Sequence, residues 1–411
     1  MKILHINWSD TEGGAAIAAT RMCEAMRRVG IEATMLTLKK NGRKGFVRKL
    51  HLGWKSFFSV LNDVALAKDI KRVQSVGTFS LMKRGYDFTK DSAVQAADVI
   101  FIHWVNNNTL SLKGVEQILK TGKPVFWYMH DMFPITGGCH HSLGCDSYQK
   151  QCANCPVIKV DGLKQIATKQ LKKKLAAWGR FSNLEFVTPS KWLGGCVESS
   201  TLAQGHSVYV VPNVIDTAVF HPVETSLKSL LGLDATKKTI MFSAATYSSV
   251  YKGAKYMHDF LKELDPQRYE ALAIGELSED FSKDLDIKIV STGYLIDDLS
   301  MVVAYNCADA FVISSVAENY PNVLLEAMAC GIPCVGFPIG GIPDLIIHKK
   351  TGYLTRAVDA KELQDGVEFL FADEQRYIML SDEARRRVEK NNAYTNVLTI
   401  HHEINWKQYS I

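Results

Sequence analysis

Short apolar runs rich in Val, Ile, Phe and Ala alternate along this chain with longer amphipathic stretches. The apolar runs predict buried strands, and the amphipathic stretches predict helices. Strands are predicted at residues 2–7, 33–38, 98–103, 124–129, 184–188, 207–211, 239–244, 269–274, 286–291, 309–314 and 333–337. Helices are predicted at residues 15–29, 254–264, 300–306 and 322–330, and over most of residues 373–409. Alternation of strand and helix indicates the α/β class, with parallel sheets covered on both faces.

A break in this pattern predicts a division into two domains. The segment Val211-Pro212-Asn213-Val214-Ile215-Asp216 leads into His221-Pro222, and the alternation restarts at Thr239. We place the boundary at about residues 212–226. The predicted strands are also too numerous for one ordinary open sheet, which favours two separate sheets.

Length and composition fit a globular protein with a sizeable core. The 411 residues are 47% hydrophobic and 22% charged, with a formal net charge of +5. A dedicated nucleic-acid binder is usually more basic, so no nucleic-acid partner is expected. No apolar run approaches the ~20 residues that span a bilayer, and the polar start is unlike a secretory signal. We therefore expect a cytoplasmic protein whose cysteines are reduced thiols or metal ligands.

The loop after the first predicted strand is a candidate diphosphate contact. Gly13 and Gly14 lie between that strand and a predicted helix. Glycines let a ligand approach the backbone closely, and a helix N-terminus attracts anions. The alternative is a plain strand-to-helix turn, because a Gly-Gly pair alone is a weak signal. The stricter motifs of dinucleotide oxidoreductases, P-loop NTPases and serine hydrolases do not occur in the chain.

A second candidate segment follows the strand predicted at residues 309–314. Glu318 lies in a loop, and Pro321 begins a helix that contains Glu326. Both carboxylates can face the carboxyl edge of the sheet and accept hydrogen bonds from sugar hydroxyls. The backbone amides at the helix start can hold phosphate oxygens; they belong to Asn322, Val323 and Leu324. The alternative is a surface loop with two ordinary glutamates.

The segment from Glu318 to Glu326, followed by Ala-Met-Ala-Cys-Gly-Ile-Pro, resembles the paired-glutamate motif of retaining glycosyltransferases of family 4. Further segments resemble motifs of this family and occur in family order, at residues 12–14, 211–216, 336–344 and 352–354. The resemblance implies the GT-B architecture, in which two Rossmann-like domains with parallel sheets face each other across a cleft. It assigns residues 1–212 to an acceptor-side domain and residues 213–392 to a donor-binding domain. A closing helix, at about residues 393–411, is expected to pack back on the first domain.

The resemblance also implies roles for individual residues. Glu326 matches the glutamate that binds the donor ribose, and Glu318 matches the one that contacts the donor sugar. Lys252 matches the lysine that neutralises the diphosphate, and His130 matches the active-site histidine near the transferred sugar. His130, Glu318 and Lys252 are therefore the implied catalytic residues. The implied donor-binding residues are Gly13, Gly14, Gly293, Tyr294, Leu295, Asn322, Val323, Leu324 and Glu326.

By the same resemblance, we expect transfer of a hexosyl group from a nucleotide-diphosphate sugar to a glycan or polyprenyl-linked glycan, with retained anomeric configuration. No catalytic metal is expected, because neither domain is taken to offer an Asp-x-Asp metal site. One departure follows the strand at residues 239–244, where the family usually has an arginine and this chain has Ala244, Ala245 and Thr246. Two alternatives of the same architecture stay open. One is a nucleotide-sugar epimerase, and the other, favoured by the missing arginine, is a non-catalytic sugar-nucleotide binding protein.

Four cysteines lie close together in the spacing C-x5-C-x6-C-x2-C; they are Cys139, Cys145, Cys152 and Cys155. Thiolates at this density in a reducing compartment predict a structural zinc that orders a glycine-rich loop. The alternatives are free buried thiols, or a cluster of fewer cysteines with His140 or His141.

Two stretches without acidic residues combine cationic and aromatic side chains. The first, residues 39–58, includes Trp54, and the second, residues 164–180, includes Trp178. This combination suits an anionic membrane surface, and the alternative is a solvated helix face. On the first interpretation, the protein is peripheral at the inner face of the membrane, where a lipid-linked acceptor would be found. A single His103, which also ends a predicted strand, is expected to pack rather than to line the acceptor side.

Overall fold

The computed structural model describes residues 1–52, 59–223, 228–229, 231–243 and 249–404. The chain divides into two compact units. The first unit contains Met1–Val214 and the chain from Tyr394 onwards, and the second contains Ile215–Ala393. The sequence-based division lay at residues 212 and 392. The acceptor and donor roles of the two units stay predictions.

The first unit is built on a parallel sheet of seven strands in the order β3-β2-β1-β4-β5-β6-β7. Its strands are β1 Lys2–Ser9, β2 Glu32–Lys39, β3 Val47–Lys49, β4 Val99–Ile102, β5 Val125–Tyr128, β6 Leu184–Thr188 and β7 Val208–Val210. The helices of this unit up to residue 198 are α1 Gly14–Arg28, α2 Ser59–Val73, α3 Ser92–Ala96, α4 Leu112–Leu119, α5 Gln165–Ala177 and α6 Lys191–Glu198. Every residue of β4, β5 and β6 is buried, which explains why β4 and β5 read as continuous apolar runs, whereas β6 also buries Glu185 and Thr188.

The second unit is built on a parallel sheet of six strands in the order β10-β9-β8-β11-β12-β13. Its strands are β8 Lys238–Ser243, β9 Tyr269–Ile274, β10 Ile289–Ser291, β11 Ala310–Ile313, β12 Cys334–Gly336 and β13 Gly352–Leu354. Its helices are α7 Ala254–Lys262, α8 Glu279–Ser282, α9 Asp298–Asn306, α10 Asn322–Ala329, α11 Ile342–Leu345, α12 Ala360–Phe371 and α13 Glu374–Asn392. The central β8 ends beside β11, so the segments after these two strands lie at the same edge of the sheet.

Two short edge strands, β3 and β13, escaped the sequence-based prediction. Residues 352–354, which were identified only as a segment that resembles a family motif, pair in parallel with Cys334–Gly336. The close pairing depends on Gly352, which has φ +155, because an added Cβ would lie 2.2 Å from the carbonyl oxygen of Cys334. β3 contains two cations, Arg48 and Lys49, and β13 begins with a glycine, so neither strand reads as an apolar run.

The end of the described chain belongs to the first unit. A 3₁₀ helix over Tyr394–Leu398 is followed by α14 Thr399–Glu403. Val397, Ile400 and Ile404 are buried in the same core cluster as Ile3 and Met26. The predicted closing helix at residues 393–411 extends beyond the described residues, which end at 404.

The membrane interpretation of residues 164–180 is wrong for two of its side chains. Lys174 and Trp178 have no solvent-exposed surface, and neither can touch a lipid bilayer in this fold. The reason is that α5 turns this face towards the core, where the Lys174 ammonium lies 3.5 Å above the ring of Phe133. Lys169, Lys172 and Lys173 stay exposed on the opposite face.

Candidate functional site

The carboxyl edge of the second sheet carries an ion pair between two of the predicted catalytic residues. Lys252 Nζ donates a hydrogen bond of 2.6 Å to Glu318 Oε2. The two side chains are 35% and 14% exposed, so the pair is partly shielded yet open to a ligand. Ser315 Oγ also lies 3.4 Å from Glu318 Oε2. The structure therefore brings Lys252 and Glu318 together across 66 residues of sequence.

The backbone around Lys252 is hydrogen-bonded to the segment that follows β11. The amide of Val316 donates to the carbonyl oxygen of Tyr251 at 2.8 Å, and Ser314 Oγ donates to that of Lys252 at 3.0 Å. Gly253 has φ +63, and an added Cβ would lie 1.9 Å from the Ser314 carbonyl oxygen. Only glycine fits this left-handed position against a neighbouring backbone. The lysine is thus held by a rigid turn rather than by a loose loop.

Glu326 lies in α10 and is almost fully buried, with 4% exposure. Its Oε2 accepts a hydrogen bond of 2.8 Å from the hydroxyl of Tyr305, which lies in α9. A buried carboxylate is costly unless it is hydrogen-bonded, so Tyr305 supports the charge that the ribose-binding role requires. Sequence reasoning missed Tyr305, because it lies 21 residues from Glu326 and belongs to no recognised motif.

The start of α10 presents the predicted phosphate-binding amides. The helix begins at Asn322 after Pro321, and no side chain caps its N-terminus. The amides of Asn322, Val323 and Leu324 therefore point out of the first turn, where the helix dipole favours an anion. Lys252, Glu318 and this helix start all follow β8 or β11 at one edge of the sheet.

The predicted base contacts follow β10. The amide of Gly275 donates to the carbonyl oxygen of Gly293 at 2.9 Å, which joins the ends of β9 and β10. Gly293 has φ +66 and open space where a Cβ would be, and the side chain of Tyr294 is 61% exposed. Gly293, Tyr294 and Leu295 thus form an open backbone segment at the carboxyl edge of the same sheet.

In the first unit, Gly13 and Gly14 follow β1 as predicted and are both exposed. Ser9 Oγ accepts hydrogen bonds from the amides of Thr11 and Glu12, which shapes the loop. Gly13 has φ +83 and caps α1 without a side-chain hydrogen bond. An exposed helix start of this kind is compatible with an anion, although its geometry also fits a plain turn.

His130 follows β5 in the first unit and is hydrogen-bonded to a second histidine. Its Nε2 lies 3.0 Å from His103 Nδ1. Burial lowers the pKa of His130 to about 4, although the adjacent Asp131 carboxylate opposes part of that shift. The imidazole is therefore neutral at physiological pH, and it can orient a ligand by hydrogen bonding rather than by charge. His103 is buried as expected, but it contacts the predicted active-site histidine directly.

Next to His130, a polar network escaped the sequence analysis. Asp131 Oδ2 lies 2.6 Å from His140 Nδ1 and accepts a hydrogen bond of 3.0 Å from the indole of Trp104. His140 Nε2 in turn lies 2.9 Å from Ser80 Oγ. Burial raises the pKa of Asp131, but the neighbouring His140 and the amide of Phe133 lower it more, so the net shift is downward. The network fixes the chain after β5.

The four cysteines of the predicted zinc site line one cavity but do not form a metal site. Within the described part of the chain, no three His, Cys, Asp or Glu side chains form a group that could hold a metal ion. Cys139, Cys152 and Cys155 are buried free thiols. Burial raises the pKa of Cys152 to about 11 and that of Cys139 to about 12. The zinc prediction is therefore not supported, and the alternative of free, mostly buried thiols describes the structure.

An Asp-x-Asp sequence does occur in the second unit, at Asp284-Leu285-Asp286. Both aspartates are exposed and precede β10, so they lie at the amino end of that strand. Ligands of open parallel sheets bind at the carboxyl ends of the strands. This pair is thus separate from the site formed by Lys252 and Glu318. Residues Ala244 to Thr246, where the family usually has an arginine, lie outside the described residues.

Comparisons with known proteins agree with this geometry. Residues 237–373 match the family model of Glycosyl transferases group 1, and this range lies within the second unit. The chain is 25% identical over 357 residues to a putative colanic acid biosynthesis glycosyl transferase, WcaC, of Escherichia coli K12, covering 82% of each chain. It is 30% identical over 189 residues to N-acetyl-alpha-D-glucosaminyl L-malate synthase of Bacillus anthracis, covering 44% of this chain and 49% of the relative.

Solved structures share the whole fold at low sequence identity. Anabaena HepE, solved with UDP and glucose, superposes with a TM-score of 0.64 at 17% identity and full coverage of both chains. WaaG, a glycosyltransferase of lipopolysaccharide biosynthesis, gives a TM-score of 0.58 at 10% identity, covering 98% of this chain and 99% of WaaG. The predicted α/β class and GT-B architecture are confirmed. The sequence matches and this fold together support a group 1 glycosyltransferase.

Proposed function

We propose that this protein is a retaining hexosyltransferase that moves a sugar from a nucleotide-diphosphate donor to a glycan or polyprenyl-linked glycan during surface polysaccharide synthesis. The ion pair between Lys252 and Glu318, beside the open N-terminus of α10, carries the proposal. A cation, a carboxylate and the amides at a helix start, all at one sheet edge, match the charges of a sugar diphosphate. HepE, with the same fold, has been solved with UDP-glucose, which supports a nucleotide-sugar donor.

In this proposal, Lys252 and the α10 amides stabilise the negative charge that develops on the leaving diphosphate. These groups are already oriented before the donor binds, because Gly253 fixes the lysine turn and the helix fixes the amides. Preorganised charge of this kind is usually the largest contribution to catalysis. Glu318, released from Lys252 when phosphate takes its place, is then able to accept hydrogen bonds from the donor sugar.

Glu326 would bind the two ribose hydroxyls, with Tyr305 keeping one carboxylate oxygen in place. The base would lie along the backbone of Gly293, Tyr294 and Leu295. His130, neutral in its buried setting, would orient the transferred sugar. In a retaining transfer, the acceptor hydroxyl attacks from the side of the leaving group and gives its proton to a phosphate oxygen. No catalytic metal is required by this scheme, since Lys252 and the helix dipole meet the phosphate charge.

We further propose that the first unit docks on an anionic membrane through α2 and the basic stretch before it. Four large apolar side chains of α2 are exposed, those of Val60, Leu61, Val64 and Ile70. Lys71 and Arg72 lie in its last turn. Exposed apolar and basic residues on one helix suit the lipid interface. Trp54, Phe57 and Phe58 of the predicted aromatic set lie outside the described residues. In the parts of the chain that are described, every helix is too short or too polar to span a bilayer.

A thermal-shift panel of UDP-, GDP- and ADP-sugars identifies the donor, because a ligand that binds the native state raises its melting temperature. The stabilising donor is then incubated with a lipid-linked glycan, and the product linkage is examined by NMR. Transfer with retained configuration supports the proposal, and inverted configuration overturns the retaining mechanism. Epimerised donor without an acceptor identifies an epimerase, and binding without either reaction identifies a non-catalytic binding protein. Undiminished transfer in EDTA supports metal independence.

Flotation with liposomes tests the membrane docking separately. Vesicles of anionic lipid should carry the full chain upward at low salt, whereas neutral vesicles should not. A Leu61→Ser and Val64→Ser double variant should float less without change in its melting temperature. If the wild-type chain does not float with anionic vesicles at low salt, the membrane docking is contradicted and a freely diffusing enzyme is favoured.

A further inference from the structure

Two tryptophan side chains lie together at the carboxyl edge of the first sheet. Trp8 is the last residue but one of β1, and Trp104 follows β4, the strand beside β1. The centres of their rings are 5.7 Å apart, and the ring planes are inclined by 63°. Both residues are half-buried, so each keeps some surface open to solvent. The pair therefore lies at the edge where open parallel sheets bind their ligands.

Hydrogen bonds fix Trp104 beside the predicted active-site histidine. Its indole Nε1 donates to Asp131 Oδ2 at 3.0 Å, and its backbone amide donates to Asn7 Oδ1 at 2.8 Å. Asp131 follows His130 directly in the chain. The indole thus has a defined orientation, and a ligand that packs against Trp104 would lie close to the loop that carries His130.

Three polar side chains lie beside Trp8, and we call them the polar rim. Glu12 Oε1 forms an ion pair with the Lys39 ammonium and accepts a hydrogen bond from the side-chain amide of Asn41. Lys39 Nζ also lies 5.7 Å from the centre of the Trp8 ring. The side chains of Lys39 and Glu12 are 49% and 36% exposed, so a ligand can reach them. The buried carboxylate of Asp10 accepts the backbone N–H of Asn41 at 2.8 Å, which anchors the rim to the end of β1.

This combination of groups suits a pyranose sugar. A pyranose has faces of C–H groups, which pack against aromatic rings, and hydroxyl groups around its edge, which exchange hydrogen bonds with carboxylate, ammonium and amide groups. A flat nucleotide base could stack on only one of two rings inclined by 63°, whereas a puckered sugar ring can contact both. A lipid chain offers no hydrogen-bonding groups to the polar rim.

We propose that Trp8 and Trp104 form a subsite for a pyranose ring of the acceptor glycan, and that the polar rim binds the hydroxyl groups of that ring. The assignment to the acceptor rests on the proposed function, whereas binding of a hexose by the pair does not. Contact with two inclined rings restricts how the sugar can turn. The subsite therefore selects which acceptor hydroxyl is presented to the transferred sugar.

Binding is measured by ¹⁹F NMR on the full chain labelled with 5-fluorotryptophan. Trp8→Phe and Trp104→Phe assign the two resonances. The probes are the methyl glycosides of glucose, galactose, mannose and N-acetylglucosamine, and at least one should shift both resonances in a saturable manner. Glycerol has hydroxyl groups but no ring face, and should shift neither. Failure of every glycoside to shift both resonances would overturn the proposal.

Kinetics with the lipid-linked glycan give the second readout. Trp8→Leu keeps an apolar side chain without a ring, and should raise the KM for acceptor on the order of 10-fold while the KM for donor stays unchanged. Trp8→Phe should recover most of that loss, which separates ring contact from a general effect on folding.

Phe46→Leu is the matched control. Phe46 is also a half-buried aromatic residue near a cation, with the Arg27 guanidinium 5.6 Å from its ring centre, but it precedes β3 and so lies at the opposite edge of the sheet. This variant should leave both KM values unchanged. An acceptor KM in Trp8→Leu equal to that of the wild type would overturn the proposal. Glycoside-induced shifts in a wild-type chain that transfers no sugar would overturn the proposed function alone.

Discussion

Lys252 and Glu318 form a 2.6 Å ion pair at the edge of the second sheet, on a turn that Gly253 locks against the end of β11. In the absence of donor, each residue neutralises the other. A sugar diphosphate would compete with Glu318 for the ammonium and leave the carboxylate for the sugar. In the proposed function, the diphosphate replaces Glu318 as the partner of Lys252. Both side chains are only partly buried, which leaves the ion pair accessible for this exchange.

Lys252→Ala should lower transfer by about 10²- to 10³-fold, as expected when one preorganised charge is removed from a transition state. The free energy of unfolding should change by less than about 1 kcal/mol, because a partly exposed ion pair contributes little to stability. Initial rates and urea unfolding are the measurements. Lys255→Ala is the matched control, since Lys255 lies three residues later and pairs with Asp259 on the surface. Equal rates for the two variants would contradict the assignment.

Tyr305→Phe should destabilise the second unit by about 1–3 kcal/mol, because the buried Glu326 carboxylate loses a hydrogen bond without gaining water. The affinity for donor should fall as well, since the carboxylate is no longer held in place. Urea unfolding and donor titration measure the two effects. Tyr377→Phe removes a hydroxyl that donates to a backbone carbonyl, that of Asp309, and should leave donor affinity unchanged. If Tyr305→Phe bound the donor as tightly as the wild type, the assignment of Glu326 to the ribose hydroxyls would be contradicted.

Gly253→Ala should lower both stability and activity. Its Cβ would lie 1.9 Å from a backbone oxygen, and its φ of +63 is unfavourable for alanine. Gly232→Ala is the control, because Gly232 has φ +73 but open space around its Cα. The control should cost about 1–2 kcal/mol from backbone strain alone, and Gly253→Ala should cost clearly more. Thermal unfolding of the two variants measures the difference in stability. Equal losses would show that the close approach of Gly253 to Ser314 does not contribute to stability.

Lys174 should make the stability of the protein rise between about pH 7 and pH 9. Burial lowers the pKa of this ammonium from 10.5 to about 7 in the native state. Over this range the unfolded chain binds a proton that the native chain has released, so the free energy of unfolding increases with pH. Above the ordinary thiol pKa of 9.0, the raised pKa of Cys152 acts in the opposite direction.

Urea unfolding at a series of pH values measures this slope. Lys174→Met retains most of the apolar volume and should flatten the curve between pH 7 and pH 9. Lys172→Met, from the exposed face of the same helix, should leave the slope as it is. A wild-type curve without a rise, or a rise that persists in Lys174→Met, would show that the ammonium stays charged in the native state.

Local sequence carries much of the architecture. The central strands β4 and β5 are fully buried apolar runs, and α10 is bounded by Pro321 and Gly331, so both kinds of element can be predicted without a structure. The edge strands β3 and β13 were missed because neither is an apolar run. The cysteine spacing predicted zinc, but spacing alone does not report how the folded backbone directs each sulfur.

The sequence by itself determined the α/β class, the two-part organisation and the segment around Glu318 and Glu326, because each is encoded by neighbouring residues. Only the tertiary structure decided which distant groups meet. The Tyr305 hydroxyl reaches Glu326 across 21 residues, and His5 reaches His103 across 98. Such contacts depend on strand order and helix packing. A buried polar atom without a hydrogen-bond partner costs free energy, so the native fold is one in which these distant groups meet. The arrangement of polar groups at these positions is therefore a property of the fold.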